Sequence, residues 1–534
     1  MTDAERDSEI GDRRKACDRI VRRWGIVALV GLAVGLRLAI GTWTVDDAYI
    51  TFRYARNLLN GSGLVYNPGQ AVLGTSTPLY AFAPAAVTWA TQLDIPTASL
   101  WINALADGLV TYLLYRLARQ MELPRWAAGL CALGWAFYPI SLRYAAGGME
   151  SSLVAALGVS AVALFLMRRC TAAVSVAALA VLARPDALVV LFVLLGGLAL
   201  ERRRAPVREL WLVLALWLPW IAWAFVQYGS PVPQSMQAKS HAIYQSQPAE
   251  NLLQILYQLG SIAIGGPIGL AAKGIALFVP PDLARGLVVA ALAVAGLWAI
   301  GARYAARIDR RWLVVLAYVP LFFGSYALVG VRGVTMAEWY VVPAMPFVFL
   351  GVFAGLAGAL RASRSRVTRK VALGLCGWIA LAQVAGLNFG RVPGRPWLVP
   401  LSIWVEREAL YQEAAAVVRE RSRPGDVVAA TEIGALGYAC DCTIFDTVGL
   451  VSPEAVAYYP APDGAFVAGI HYVLPARMIH DLRPAYFISL DVFTRRSTLT
   501  AEWFRRDYEL VWEARSDAFG SRKMQLYERR TPDR

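Results

Sequence analysis

Read from the first residue, the chain alternates between long apolar runs and short basic clusters. The first run is Trp24 to Trp43. A polar stretch from Thr44 to Thr77 follows, then a Pro-interrupted apolar piece, Pro78 to Ala90, that suits an interfacial segment better than a crossing. Further runs lie near 98–116, 126–140, 151–167, 171–184, 187–200, 210–228, 284–302, 312–330, 340–360 and 371–388. A span needs about 20 apolar residues, so the pattern predicts about eleven transmembrane helices by the hydropathy criterion. The pieces 171–184 and 187–200 are short, and their junction is Arg184-Pro185-Asp186. Charged junctions of that kind are tolerated where they line a protein cavity.

After residue 388 the period changes. Leu401 to Arg421 reads as an amphipathic helix stopped by Pro424-Gly425. Short β-branched and aromatic runs at 426–430, 443–448, 485–490, 509–513 and 524–528 read as strands. The expected organisation is a cytoplasmic N-terminus (1–23), a transmembrane domain (24–388) with outer loops at 44–97 and 229–283, and a soluble α/β domain (389–534).

Charge sharpens this picture. Of 534 residues, 57% are hydrophobic, and the formal net charge is +14. The Arg clusters at 13–23, 116–125, 168–169, 202–208, 303–311 and 361–370 all fall on one side if the N-terminus is cytoplasmic, as the positive-inside rule requires. The basic excess is thereby accounted for by the bilayer, and no nucleic-acid partner is expected. The C-terminal domain then lies outside the cytoplasmic (inner) membrane. The first run lacks a small-residue cleavage site and reads as a retained helix. Cys440 and Cys442 could pair in an oxidising compartment or stay free.

The acids and the remaining arginines gather on the outer side. Asp46 and Asp47 follow the first helix directly and head an amphipathic segment; a helix cap explains one of them and not both. Glu150 follows Gly147-Gly148-Met149 at a helix start, Arg184 and Asp186 form the turn named above, and Arg332 and Glu338 share a loop before Trp339-Tyr340. Lys239 and His241 sit in the long outer loop. A carboxylate can deprotonate an acceptor hydroxyl, and an Arg can hold a phosphate and stabilise it as it leaves. Asp46, Asp47 and Glu150 could equally ligate a divalent cation (Mg, Mn or Ca).

Several stretches resemble one family. These are Asp46-Asp47-Ala48-Tyr49-Ile50, Arg53-Tyr54-Ala55, Gly61-Ser62-Gly63-Leu64-Val65-Tyr66-Asn67-Pro68-Gly69, Gly74-Thr75-Ser76-Thr77-Pro78-Leu79, Gly148-Met149-Glu150-Ser151 and Arg184-Pro185-Asp186. Together they are similar to the GT-C membrane glycosyltransferases, and within them to the mycobacterial terminal β-(1→2) arabinofuranosyltransferase group. Thr431-Glu432-Ile433-Gly434-Ala435-Leu436-Gly437-Tyr438 and Asp446-Thr447-Val448-Gly449-Leu450 resemble the soluble tail of such proteins. The resemblance implies a polyprenyl-phosphate sugar donor, with arabinofuranose favoured, and an envelope polysaccharide or glycolipid acceptor. It implies Asp46 as general base, Asp47 as its partner or a cation ligand, Glu150 as the second carboxylate, and Arg53 and Arg184 toward donor phosphate or substrate. The competing readings are a lipid-linked sugar transporter or flippase and a non-catalytic envelope assembly protein.

Overall fold

The computed structural model describes residues 24–240, 248–264, 281–330, 337–387, 389–391, 398–400, 403–460 and 473–530. Its N-terminal two thirds is a helical bundle. The helices are α1 (Trp24–Ile40), α2 (Asp46–Leu59), α3 (Pro78–Thr91), α4 (Ile95–Gln120), α5 (Arg125–Ala136), α6 (Pro139–Ala146), α7 (Ser151–Leu166) and α8 (Cys170–Ala183). They continue as α9 (Leu188–Arg202), α10 (Val207–Tyr228), α11 (Gln234–Ser240), α12 (Pro248–Ile264), α13 (Pro281–Ile308), α14 (Arg311–Gly330), α15 (Met345–Ala362) and α16 (Arg366–Ala385).

The expected count of eleven spans is not met. Five helices among the described residues are long and apolar enough to cross a membrane: Val207–Tyr228, Val288–Ile308, Arg311–Leu328, Met345–Ala362 and Arg366–Ala385. The physical reason is length. The apolar run at 126–140 breaks at Pro139 into α5 and α6, and α1, α7 and α8 are short helices. The 16 residues of α7 rise only about 24 Å at 1.5 Å each, against a hydrocarbon core of about 30 Å. Apolar composition alone therefore overcounted crossings.

Burial separates lipid-facing from central helices. On α10, Trp211, Phe225 and Val226 are exposed, an apolar surface that fits lipid and not water. By contrast, α15 is buried from Met345 to Ala357. It approaches α13 at backbone contact: a Cβ on Gly301 would lie 1.8 Å from the Gly351 carbonyl oxygen, and one on Gly355 2.0 Å from that of Leu297. Small residues at such a crossing let helix backbones touch.

The C-terminal domain begins with a short antiparallel pair, β1 (Phe389–Arg391) and β2 (Leu398–Pro400), and α17 (Ile403–Arg421). Next come β3 (Val427–Ala430), α18 (Gly434–Cys440), β4 (Thr443–Asp446), β5 (Tyr486–Leu490), β6 (Tyr508–Arg515) and β7 (Lys523–Arg529). The five-stranded sheet has the order β4-β3-β5-β7-β6. Its first three strands are parallel and the β7 and β6 pairings antiparallel. Every residue of β5, the middle strand, is buried, as a strand covered on both faces requires. Cys440 and Cys442 form a disulfide at the end of α18.

Candidate active site at the seam between bundle and C-terminal domain

The acid-bearing helix α2 lies along α18, and the two are matched end to end by charge. At the N-terminus of α18 the amides of Gly434 and Ala435 donate to Asp46 Oδ2 and Oδ1 at 2.9 and 2.8 Å. At the C-terminal end, Arg53 Nη1 donates to the Gly437 carbonyl at 2.7 Å and Arg53 Nη2 to that of Cys442 at 2.6 Å. Arg56 Nη1 donates to the Tyr438 carbonyl at 2.7 Å. An acid at the amide end and cations at the carbonyl end complement the unpaired groups of a helix and its dipole. Arg53 also donates to the Tyr66 carbonyl and to Asn67 Oδ1. Its Nε and both terminal nitrogens are thus engaged inside the protein, where it is buried. Asn67 in turn exchanges bonds with the backbone of Ile444, its Nδ2 donating and its Oδ1 accepting.

The approach depends on two glycines one helical turn apart. A Cβ on Gly434 would stand 1.8 Å from the Asp46 carbonyl oxygen, and one on Gly437 2.0 Å from Tyr66 Oη and 2.6 Å from Arg53 Nη1. Gly437→Ala is therefore expected to loosen the seam by about 1–3 kcal/mol, the usual cost of overpacking. Hydrogen exchange of the α2 amides reads that loss, and Tyr66→Phe should restore part of it by removing the clashing hydroxyl.

Behind Asp46 stands a buried cluster from α17. Its backbone N–H donates to Glu408 Oε1 at 2.8 Å. Arg407 donates to both Glu408 oxygens, at 2.7 and 2.9 Å, and pairs with Glu432 at 3.2 Å. Burial pushes the Asp46 carboxyl up, with Arg407 and the two amides opposing. Burial also raises Glu432 and raises Glu408 to about 7 from 4.5, again against Arg407. Because the docked state then binds more protons than the open one, the seam should weaken as pH rises from about 4.5 to about 7. Exchange protection of α2 compared at pH 5 and pH 8 checks this; stronger protection at the higher pH would contradict it.

Asp47 differs from its neighbour. It is half-buried and has no hydrogen bond or ion pair to the described residues. One helical turn on, Thr51 lies with Thr75 (3.3 Å) and Thr77 (3.5 Å) in a small hydroxyl group.

The turn carrying Glu150 abuts the start of α2. Trp43 and Val45 amides donate to the carbonyls of Ala146 and Gly147. Asn103 Nδ2 donates to the Ala145 and Met149 carbonyls, and Tyr80 Oη to that of Gly148. Glu150 Oε1 accepts from Arg184 Nη1 at 3.2 Å. Arg184 also grips Asp186 with two 2.8 Å bonds, and donates to Ser151 Oγ and to the carbonyls of Trp339 and Tyr340. It is buried and its nitrogens are all engaged. Glu338 accepts from Arg143 Nη1 at 3.3 Å and Tyr144 Oη at 3.0 Å.

The structure thus brings Asp46, Asp47 and Arg53 together with Glu432, and places the linked group Glu150, Arg184 and Asp186 beside the start of α2. Glu338 joins through the turn whose carbonyls Arg184 holds. Lys239 is half-buried on α11. That helix is tied at Gln234 to the Leu73 and Gly449 carbonyls. His241 and Arg332 lie outside the described residues. The sequence reading missed Arg407, Glu408, Arg56 and Arg143. Glu-Arg-Glu on a helix looks like a solvated face until its partners are known. Among the described residues no group of three or more His, Cys, Asp or Glu is placed to hold a metal ion. Of the trio Asp46, Asp47 and Glu150, Asp46 accepts from two backbone amides and Glu150 from Arg184.

A family model described as a domain of unknown function (DUF8728) matches residues 402–527. No curated protein matches the chain. Solved structures do. ArnT from Cupriavidus metallidurans in the apo state is 13% identical, with a TM-score of 0.57 over 96% of this chain and 98% of that one. The same protein bound to undecaprenyl phosphate is also 13% identical, with a TM-score of 0.54 over 94% and 97%. The archaeal oligosaccharyltransferase AglB from Archaeoglobus fulgidus, in complex with an inhibitory peptide and a dolichol-phosphate, is 12% identical, with a TM-score of 0.53 over 92% and 73%. The chain shares the fold of these structures.

Proposed function

We propose that the protein is a glycosyltransferase that moves a sugar from a polyprenyl-phosphate donor to a cell-envelope glycan, at the outer face of the cytoplasmic membrane. Arabinofuranose is the favoured sugar, on the resemblance of the motifs between residues 45 and 190. The observation that carries the reading is Asp47: a half-buried carboxylate with no hydrogen-bond or ion-pair partner among the described residues, on a helix held along its length, in a GT-C fold. Asp46 is the less suitable base, because both of its oxygens accept backbone amides.

In this reading Asp47 takes the proton of an acceptor hydroxyl. The hydroxyl oxygen forms a bond to the anomeric carbon as the bond from that carbon to the phosphate oxygen breaks. The electron pair leaves with polyprenyl phosphate. Glu150, Arg184 and Asp186 form a rigid polar wall, and the engaged guanidinium of Arg184 acts by field and by shape more than by binding phosphate directly. A lipid phosphate partner is supported by the undecaprenyl phosphate and dolichol-phosphate named with the two similar structures.

The test is transfer of label from synthetic polyprenyl-phosphate sugars, arabinofuranose and mannose first, to an acceptor oligosaccharide by purified, lipid-supplied protein. The productive donor names the sugar. Folded protein that turns over no donor would shift the weight to transport or assembly roles.

A further inference from the structure

Cys440 and Cys442 stand two positions apart in sequence, and their disulfide closes the turn that ends α18. A loop that short removes little chain entropy from the unfolded protein, because the gain grows with loop length. The bond is therefore a poor staple for the fold as a whole, and its effect is local. What it fixes is a set of acceptors for α2. Asp441, between the two cysteines, holds a left-handed backbone at φ +57°, a conformation that is costly for a residue with a Cβ. Its carboxylate accepts from Arg56 Nη2 at 2.9 Å. The Cys442 carbonyl accepts from Arg53 Nη2 at 2.6 Å, and the Cys442 N–H donates to Cys440 Sγ at 3.3 Å. Two residues on, the Ile444 N–H donates to Asn67 Oδ1, which also accepts from Arg53. Each arginine thus bridges the body of α18, at the Gly437 or Tyr438 carbonyl, and the disulfide turn beyond it. Cys440 is buried, whereas Cys442 is half-buried and Asp441 exposed.

We propose that the Cys440–Cys442 disulfide is a redox-sensitive lock on the α2–α18 seam, opened by a dithiol reductant and closed again by reoxidation. A ring spanning one intervening residue confines the backbone of both cysteines, and constrained or exposed disulfides are the readily reduced ones. One thiolate of the reductant attacks the sulfur of Cys442, the more accessible of the two. The S–S bond breaks, and Cys440 leaves as a thiolate that takes up a proton. The second thiol of the reductant, as its thiolate, then attacks the mixed disulfide and releases Cys442, which is protonated in turn. The reductant ends as its own disulfide, and the protein gains two electrons and two protons. With the ring open, Asp441 is free to leave the left-handed region, and the Cys442 carbonyl moves with it. Arg53 and Arg56 keep their bonds within α18 but lose those to the turn. The end of α2 remote from its acids loosens first, while the Asp46 anchors at the other end of α18 are not part of the ring. Any effect on catalysis rests on the transferase reading; the lock itself does not.

The experiment takes the full-length protein in nanodiscs through three states: oxidised, reduced with dithiothreitol, and reoxidised with oxidised glutathione. Thiol alkylation and mass spectrometry report the state of Cys440 and Cys442, and hydrogen exchange reports α2. Exchange of the amides from Arg53 to Leu59 should rise about tenfold or more on reduction, the scale of one lost charge-assisted bond, and fall back on reoxidation. Exchange in the buried helix α15 should not move. Cys440→Ser/Cys442→Ser should show the reduced pattern with and without reductant; the cycle on wild type decides the question should that variant fail to fold. Label transfer from a polyprenyl-phosphate sugar, followed in the same samples, should fall on reduction and recover. Unchanged α2 exchange in protein shown to be reduced would overturn the lock, as would a rise that reoxidation does not reverse or cysteines found unpaired in the oxidised state. Transfer that persists unchanged through a reversible loosening would overturn its control of activity. A reversible exchange response with no transfer from any donor in any state would support the lock and refute the transferase reading alone.

Discussion

Asp47→Asn is expected to lose transfer by about 10²- to 10⁴-fold, the usual contribution of a general base, while the protein inserts, folds and binds donor normally. The side chain it removes has no hydrogen-bond or ion-pair partner among the described residues, so no loss of stability should follow. Asp46→Asn should behave differently. An amide in place of that carboxylate can accept one of the two α18 amides, but its NH₂ group faces the other. Leaving a buried donor without its acceptor costs about 1–3 kcal/mol. Exchange of the α2 amides should therefore rise in Asp46→Asn and not in Asp47→Asn. Measuring both quantities on both variants separates the two adjacent acids. Normal transfer by Asp47→Asn would remove it as the base. Undisturbed exchange in Asp46→Asn would show that the seam does not depend on that acid.

Arg37→Met is expected to cost about 3–5 kcal/mol of bundle stability, because it strands a buried carboxylate. Arg37 on α1 and Asp107 on α4 are both fully buried, and Nε donates to Oδ2 at 2.9 Å. Ser141 and Ser152 donate to the same oxygen at 2.8 and 3.0 Å. Nη2 of Arg37 reaches Ser141 Oγ at 3.1 Å. Asp107→Leu alone should cost a similar amount by stranding the guanidinium. The double variant Arg37→Met/Asp107→Leu should regain much of the loss, since replacing a whole buried pair with apolar side chains is often close to neutral. Thermal unfolding midpoints in detergent, taken for the two single variants and the double, read the cycle. A double variant as unstable as the sum of the singles would show that the pair is not coupled.

That pair shows how much could be read from the chain alone. Arg37 and Asp107 each interrupt an apolar run, yet neither stands out, because a single charge in a hydrophobic helix has many readings until its partner is known. The acids on α2 were legible for the opposite reason. Asp46 and Asp47 are consecutive at the start of an amphipathic helix, and only one can be a cap. What could not be read was that Asp46 caps a different helix, one that begins 388 residues later. Arg53 reads from the sequence as a group facing donor phosphate or substrate; in the structure it donates to the carbonyls of Tyr66, Gly437 and Cys442 and to Asn67 Oδ1. The span count failed because hydropathy registers composition, whereas crossing a bilayer also needs unbroken length, which Pro139 and the short α7 and α8 deny.

Taken by itself, the sequence determined local matters: strands of the C-terminal sheet from short β-branched and aromatic runs, the long helix Ile403–Arg421 from its pattern and its Pro-Gly stop, and the acids heading α2 and α7. These follow from backbone preferences and periodicity, which act over a few residues. Tertiary structure alone decided which charges are spent and which are open. Asp46 and Asp47 are chemically identical neighbours, and the packing of Gly434, Glu408 and Arg407 around Asp46 gives it partners that Asp47 lacks among the described residues. A carboxylate's role depends on the donors within hydrogen-bonding distance, and folding brings those donors from hundreds of residues away.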